Sequence, residues 1–210
     1  MTLSDPIKLP LVLGISGASG AVYGFSFLKF FLQNNFKIDL VLSKNAAEVA
    51  LHELELNLKG LDLTQSKEAI LELLNCGDFA ENLTLWDEAN IAANISSGSY
   101  KTQGMIIAPC SMGTLANIAA GTSNNLLARA ADVTLKERRK LILVVRETPL
   151  NTIHLRNMCS LSEIGAVILP AAPGFYQKPK TIQDQVNFIL GKTLDVVGVD
   201  HELFKRWTNS

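Results

Sequence analysis

A glycine- and serine-rich turn, Gly14-Ile15-Ser16-Gly17-Ala18-Ser19-Gly20, follows the first apolar segment of the chain. Glycine permits tight turns and close backbone approach, and serine adds hydroxyl donors. The helix predicted after the turn would offer free backbone N–H groups to an anion. The glycines do not follow the dinucleotide pattern G-x-G-x-x-G, and no Lys-Ser/Thr pair completes a P-loop. The turn therefore favours an anion site of another kind.

A second hydroxyl-rich segment, Pro109-Cys110-Ser111-Met112-Gly113-Thr114, follows a later apolar run, and Ser43 follows the second run. Ser43 stands where a dinucleotide site would carry an acid for the ribose. Converging loops of this kind suit the phosphate, ribityl chain and ring edge of FMN. Cys110 has no histidine near it in sequence, so a small buried core residue is favoured over a nucleophile.

The arginines gather in the second half of the chain, where every one of them lies between Arg129 and Arg206. Arginine grips a phosphate in two places at once. Arg146 and Glu147 follow an apolar run side by side, and they predict either a structural ion pair or a base beside a bound ligand. The three histidines match no triad or metal spacing.

Short apolar runs alternate with stretches of helical periodicity, which predicts a doubly wound, mostly parallel α/β sheet of the flavodoxin-like or Rossmann-like three-layer type. Its ligands are expected beyond the carboxyl ends of the strands. The predicted strands are Leu11–Ile15, Ile38–Leu42, Met105–Ala108, Leu141–Val145 and Ala166–Leu169. The predicted helices are Ala18–Gln33, Ala46–Leu58, Thr114–Ala120, Leu126–Leu135 and Thr181–Val197. Residues 59–90 are expected to hold a helix, a loop and a short strand around Leu83–Leu85.

The 210 residues fit one domain, with a tail over 198–210 that packs on the domain or on a neighbouring subunit. A formal net charge of −1 gives no electrostatic case for nucleic acid or an anionic membrane as a partner. The first apolar run is too short to span a bilayer. Three cysteines without a C-x-x-C pair favour a reducing cytoplasm.

Seven segments occur in a specific order: 14–20, 95–99 (Ile-Ser-Ser-Gly-Ser), 109–112, 126–133 (Leu-Leu-Ala-Arg-Ala-Ala-Asp-Val), 135–139 (Leu-Lys-Glu-Arg-Arg), 146–150 (Arg-Glu-Thr-Pro-Leu) and 173–176 (Pro-Gly-Phe-Tyr). With this set the chain resembles the flavin prenyltransferases of the UbiX/Pad type over nearly its full length. The resemblance implies a homo-oligomer, typically a dodecamer. It implies an enzyme that needs no metal and transfers the dimethylallyl group of dimethylallyl phosphate to N5 and C6 of reduced FMN. The prenylated FMN would serve a decarboxylase of the UbiD type.

The same resemblance assigns site residues by position. Those implied around FMN are Gly17, Ala18, Ser19, Ser43, Ser111, Met112, Gly113, Thr114 and Arg146. Those implied at the isoprenoid phosphate are Tyr176, Lys192, Lys136, Arg129 and Ser97. Those implied in the chemistry are Glu147 and Ser19 as proton carriers, Lys136 at the leaving group and Trp207 at the prenyl group. Two departures stand out, because relatives often carry lysine at Gly113 and some carry arginine at Lys192.

Two other functions remain open from the residues. One is a flavin-dependent cysteine decarboxylase of the phosphopantothenoylcysteine type, which shares the fold. The segment 88–100 here lacks the histidine of those enzymes, and Arg146–Asn151 replaces their Pro-x-Met-Asn-x-x-Met-Trp stretch. The other is a non-catalytic FMN carrier. A carrier has no need of a second set of phosphate-binding residues.

Overall fold

Six parallel strands form one sheet in the computed structural model, which describes residues 9–206. The strands are β1 Leu11–Ile15, β2 Ile38–Leu42, β3 Leu83–Trp86, β4 Gly104–Cys110, β5 Lys140–Val145 and β6 Val167–Pro170. They lie side by side in the order β3-β2-β1-β4-β5-β6, and every neighbouring pair is parallel. The order reverses between β1 and β4, where doubly wound folds bind their ligands. The predicted fold class is confirmed.

Helices cover both faces of the sheet. They are α1 Ala21–Gln33, α2 Lys44–Leu54, α3 Leu63–Leu74, α4 Met112–Ala119, α5 Leu126–Lys136, α6 Thr152–Glu163 and α7 Ile182–Val197, with short 3₁₀ turns at Gly77–Asn82 and Asn94–Ser96. One core cluster joins the sheet to α1, α2, α3 and α7, and a second joins it to α4, α5 and α6. The result is the three-layer arrangement. No helix within the described residues is both long enough and apolar enough to cross a membrane.

The structure differs from the prediction most clearly at α6, a helix that the periodicity did not indicate. Its buried positions are only Met158 and Leu161, whereas Ile153 is 65% exposed and Leu155 is 52% exposed. Apolar residues on the outer face blur the one-sided pattern by which a surface helix is recognised. The start of α1 also moves from Ala18 to Ala21, because Gly20 adopts the left-handed conformation (φ 97°) that precedes the helix.

Candidate functional site

Ser16 joins the two loops that follow β1 and β4. Its Oγ donates to the carbonyl oxygen of Pro109 at 2.8 Å and accepts from the N–H of Ser111 at 2.8 Å. The Ser16 N–H also reaches the Pro109 carbonyl, at 3.2 Å. Ser16 is only 1% exposed, so these bonds form away from solvent, where an unpaired partner would be costly. The two loops are therefore held together at the switch point of the sheet.

The second loop opens α4 with a hydroxyl pair. Ser111 Oγ accepts from the N–H of Thr114 at 3.3 Å and donates to Thr114 Oγ1 at 3.1 Å. Met112 and Gly113 occupy the first helical positions, where N–H groups have no intrahelical acceptor. A Cβ placed on Gly113 would meet nothing within 4 Å, so open space lies beside this helix end. Free N–H groups, hydroxyls and space together fit a phosphate.

The N-terminus of α1 is occupied by the chain's own carboxylate, contrary to the prediction that it is free for an anion. Glu53 of α2 accepts from the N–H of Gly20 at 2.9 Å and from that of Ala21 at 2.8 Å. The N–H of Ala18 is also used, by the carbonyl of Ser16 at 2.8 Å. Ser19 lies exposed directly before this cap. The Ser19 hydroxyl of the first loop is therefore available to a ligand, whereas the N–H groups at the start of α1 are bound by Glu53.

Glu53→Gln is expected to lower the free energy of unfolding by about 1 kcal/mol, because a charge-assisted cap becomes a neutral one at a helix N-terminus. It should also weaken FMN binding, since Ser19 loses its fixed position. Urea unfolding and FMN titration measure the two effects. Glu48→Gln, an exposed position on the same helix, is the control. A variant that matches Glu48→Gln in both measurements would remove Glu53 from the site.

Ser43 and Arg146 lie on either side of these loops. Ser43 follows β2, donates its N–H to Ile15 at 3.0 Å and caps α2 by accepting from Ala46 at 3.1 Å. Arg146 follows β5, and its N–H donates to the carbonyl of Cys110 at 3.2 Å. Both predicted FMN residues thus lie at the same sheet edge as Ser111.

Tyr23 lies between the first loop and Arg146, and sequence reasoning did not select it. A Cβ on Gly20 would come within 2.8 Å of the Tyr23 ring, so the ring packs on the loop. Partial burial raises the pKa of Tyr23, and the nearby positive charge of Arg146 opposes that rise. An aromatic residue one turn into the helix was the only local signal for this contact.

Glu147 follows Arg146 and is exposed at the same edge. Its Oε1 accepts from the N–H of Thr148 at 3.1 Å. Within residues 9–206 no ion pair joins Glu147 to Arg146. The structural ion pair that the sequence left open is therefore absent, and the carboxylate is available at the ligand edge.

Cys110 lies at the end of β4 and is fully buried. Burial raises the pKa of its thiol to about 12. Since the thiolate is the nucleophilic form, Cys110 stays protonated near neutral pH. Its interpretation as a small core residue is confirmed.

Tyr176 and Lys192 are both neighbours of Phe188 on α7. The Tyr176 ring meets the Phe188 ring edge-on, with centroids 5.9 Å apart, and Lys192 lies one helical turn beyond Phe188. Both side chains are half exposed. The two residues predicted at the isoprenoid phosphate thus share one surface.

Ser97, Arg129 and Lys136 form a separate group along α5. Arg129 pairs with Asp132 at 2.6 Å and donates to the carbonyl of Ser96 at 3.2 Å. Lys136 pairs with Glu137 beside Gly98. The predicted site residue Trp207 lies outside the described residues.

Helix α5 carries Lys136 away from the ligand edge. The helix begins at Leu126, whose N–H donates to Glu88 just after β3, and it ends at Lys136, four residues before β5 begins at Lys140. An eleven-residue helix is about 16 Å long. Within one chain the structure therefore places Lys136 at the opposite edge of the sheet from Ser111 and Glu147.

The chain is similar to known flavoproteins over most of its length. A family model described as Flavoprotein matches residues 3–194. Flavin prenyltransferase UbiX of Alkalihalophilus pseudofirmus is 50% identical over 205 residues, which are 98% of this chain and 99% of that protein.

Two solved structures extend the likeness to three dimensions. AnUbiX (PadA1) in complex with FMN and dimethylallyl pyrophosphate has a TM-score of 0.84 at 37% identity, covering 97% of this chain and 99% of that one. The dodecameric FMN-dependent UbiX-like decarboxylase from Escherichia coli O157:H7 has a TM-score of 0.82 at 39% identity, covering 96% and 100%. This chain belongs to the flavin prenyltransferase UbiX family.

Proposed function

We propose that this chain transfers a dimethylallyl group from dimethylallyl phosphate to reduced FMN. The observation that carries the proposal is the crevice between β1 and β4, where Ser16 locks two hydroxyl-bearing loops beside the open end of α4. A site with one anion position at this crevice and a second, cationic group elsewhere suits two phosphorylated substrates.

The residues at the crevice fit FMN in three parts. The free N–H groups of Met112 and Gly113, with the Thr114 hydroxyl, would hold its phosphate. The hydroxyls of Ser19 and Ser43 would hold the ribityl chain, and Arg146 would face the ring. Gly17 lets the first loop pack closely on α2, since a Cβ there would come within 2.4 Å of the Asn45 Cβ. FMN, when bound and reduced, supplies the electron-rich N5 and C6 to which the dimethylallyl group is joined.

Tyr176 and Lys192 would bind the donor phosphate. A hydroxyl and an ammonium beside the leaving group stabilise the negative charge that grows as the carbon–oxygen bond breaks. This second anion position separates the proposal from a carrier, which has no donor to bind. Trp207 is expected to line the prenyl group.

A neighbouring copy would bring Lys136, Arg129 and Ser97 to the same donor, because α5 directs Lys136 away from its own crevice. The homo-oligomer implied by the dodecameric relative supplies such a neighbour. Exposed apolar residues beside Glu147, namely Leu150, Ile153 and Leu155, offer surface for the contact between copies. The proposal also includes a dodecameric assembly, a cytoplasmic location and a decarboxylase of the UbiD type that receives the product. These three parts rest on the family resemblance.

The decisive test combines binding and product analysis. FMN is expected to bind more tightly than NAD or FAD, because no acid follows β2 to hold a ribose. After reduction and incubation with dimethylallyl phosphate, mass spectrometry of the extracted flavin should show the added five-carbon group. Tighter binding of NAD would overturn the FMN site. An unmodified flavin would favour the carrier, and CO₂ released from a cysteinyl substrate would favour the decarboxylase.

A further inference from the structure

The C-terminal tail turns back along α7 after the helix ends. Gly198 ends α7 in the left-handed conformation (φ 79°), and the N–H groups of Gly198 and Val199 both donate to the carbonyl of Leu194. This cap reverses the chain at a position that favours glycine. At the other end of the described tail, the carbonyl of Lys205 accepts from the Gln177 side chain at 2.8 Å. The tail therefore runs from the end of α7 back to the loop that carries Tyr176.

Asp195 is the polar centre of this arrangement. Its Oδ1 accepts from Arg206 at 2.8 Å and lies 3.2 Å from His201 Nε2, while its Oδ2 lies 3.8 Å from the Lys192 Nζ. Partial burial acts to raise the pKa of Asp195, but the hydrogen bonds that it accepts from Arg206 and His201, together with the positive charge of Arg206, outweigh it and hold the pKa below its ordinary value. One ionised carboxylate thus faces two tail residues and the predicted phosphate-binding lysine.

His201 joins Asp195 to the tail backbone. Its side chain is only 1% exposed, and its Nδ1 accepts from the N–H of Leu203 at 3.2 Å. Since Nδ1 is an acceptor, Nε2 is the nitrogen that donates to Asp195. Both nitrogens are therefore used, which fixes the orientation of the ring.

Aromatic packing continues the contact from the tail to Tyr176. The Phe204 ring lies 5.1 Å from His201 and 5.3 Å from Phe188, and Phe188 in turn meets Tyr176. The tail can approach this closely because α7 has Gly191 at the contact. A Cβ there would come within 2.5 Å of Phe204 and 2.6 Å of His201.

We propose that Asp195 is a positioning residue for the donor-phosphate subsite, where it orients Lys192 and clamps the tail against the loop that carries Tyr176. The inference rests on the proposed prenyl transfer and adds a residue that touches neither substrate. It acts through Lys192 directly, and through His201 and Phe204 on Tyr176. Loss of the clamp should therefore weaken donor binding and leave the FMN crevice unchanged.

The test uses two variants that break the clamp differently. Asp195→Asn removes the charge, whereas Gly191→Ala pushes Phe204 and His201 away without altering any charge. Each is expected to raise the KM for dimethylallyl phosphate about tenfold, with a smaller change in kcat, as loss of one charge-assisted hydrogen bond would. The dissociation constant of FMN should stay within about twofold of wild type, the scatter expected for a distant independent site. Backbone hydrogen exchange should accelerate in residues 199–206.

Asp184→Asn is the matched control, because Asp184 caps the N-terminus of the same helix and contacts none of the tail residues above. It should lower thermal stability and leave the KM unchanged. If the tail exchanges faster in both clamp variants while the KM stays at the wild-type value, the clamp is purely structural and the inference fails. It fails equally if Asp184→Asn raises the KM as much. A wild-type protein that does not prenylate FMN overturns the proposed function instead, and the exchange data still report on the clamp.

Discussion

Glu147→Gln is expected to bind FMN and dimethylallyl phosphate as the wild type does, and to slow closure of the new ring by about 10²–10⁴-fold. Joining carbon to N5 breaks the carbon–oxygen bond of the donor and releases the N5 proton, which the departing phosphate can take, so this step does not need Glu147. Joining carbon to C6 leaves a proton that must depart before the ring regains aromaticity. Glu147 is exposed at the ligand edge and is not neutralised by Arg146, so its carboxylate can accept that proton. Glutamine keeps the size and the hydrogen bonding but cannot accept it.

Rapid quench with mass and absorbance detection measures this effect. The variant should accumulate flavin that carries the dimethylallyl mass without the spectrum of the four-ring product. Glu72→Gln, exposed on α3 away from the crevice, is the control and should close the ring at the wild-type rate. Departing phosphate could serve as a second base, which would place the effect at the lower end of the range. Ring closure at the wild-type rate in Glu147→Gln would remove Glu147 from the mechanism.

Lys136→Ala is expected to lower kcat/KM for dimethylallyl phosphate about ten- to a hundredfold, the effect of losing one charge-assisted hydrogen bond to the donor phosphate. The FMN dissociation constant should not change, because Lys136 is assigned to the donor phosphate and not to FMN. Steady-state kinetics and FMN titration measure the two quantities. Lys59→Ala, in an exposed loop, controls for the loss of a surface charge.

Co-expression of Lys136→Ala with Glu147→Gln tests whether neighbouring copies share the site. If each site takes Lys136 from one copy and Glu147 from another, random mixing leaves about one quarter of the sites intact. The mixed oligomer should then exceed the activity of either variant alone. If one chain supplied both residues, every site would carry a defect and mixing would restore nothing.

The strands of the sheet could be predicted from the sequence because each inner strand is buried on both faces. Such strands appear as continuous apolar runs, and the predicted bounds of β1 and β2 match the structure. The helix α6 was not readable, since Ile153 and Leu155 point away from the core of their own chain. Apolar residues that face away from the core remove the one-sided periodicity by which such a helix is predicted.

The loops of the site could also be predicted from the sequence, because each directly follows a strand and depends on local residue types. The contact between Glu53 and the start of α1 could not be predicted. Glu53 lies 33 residues from Gly20, and its carboxylate takes the helix end that the sequence assigned to an anion. Tyr23 was missed for the same reason, since its neighbour Arg146 comes from a strand on the other side of the switch point.

The sequence by itself determined the fold class, the family and the hydroxyl-bearing turns, because strand burial, helix periodicity and turn chemistry are set by residues close together in the chain. Only the tertiary structure decided which of these groups meet. In the structure Ser16 is hydrogen-bonded to Ser111, and Glu53 caps the start of α1. Lys192 and the tail lie around Asp195, and Lys136 lies away from the crevice of its own chain. Such contacts depend on how strands and helices are ordered in space, and that order connects residues that no local pattern relates.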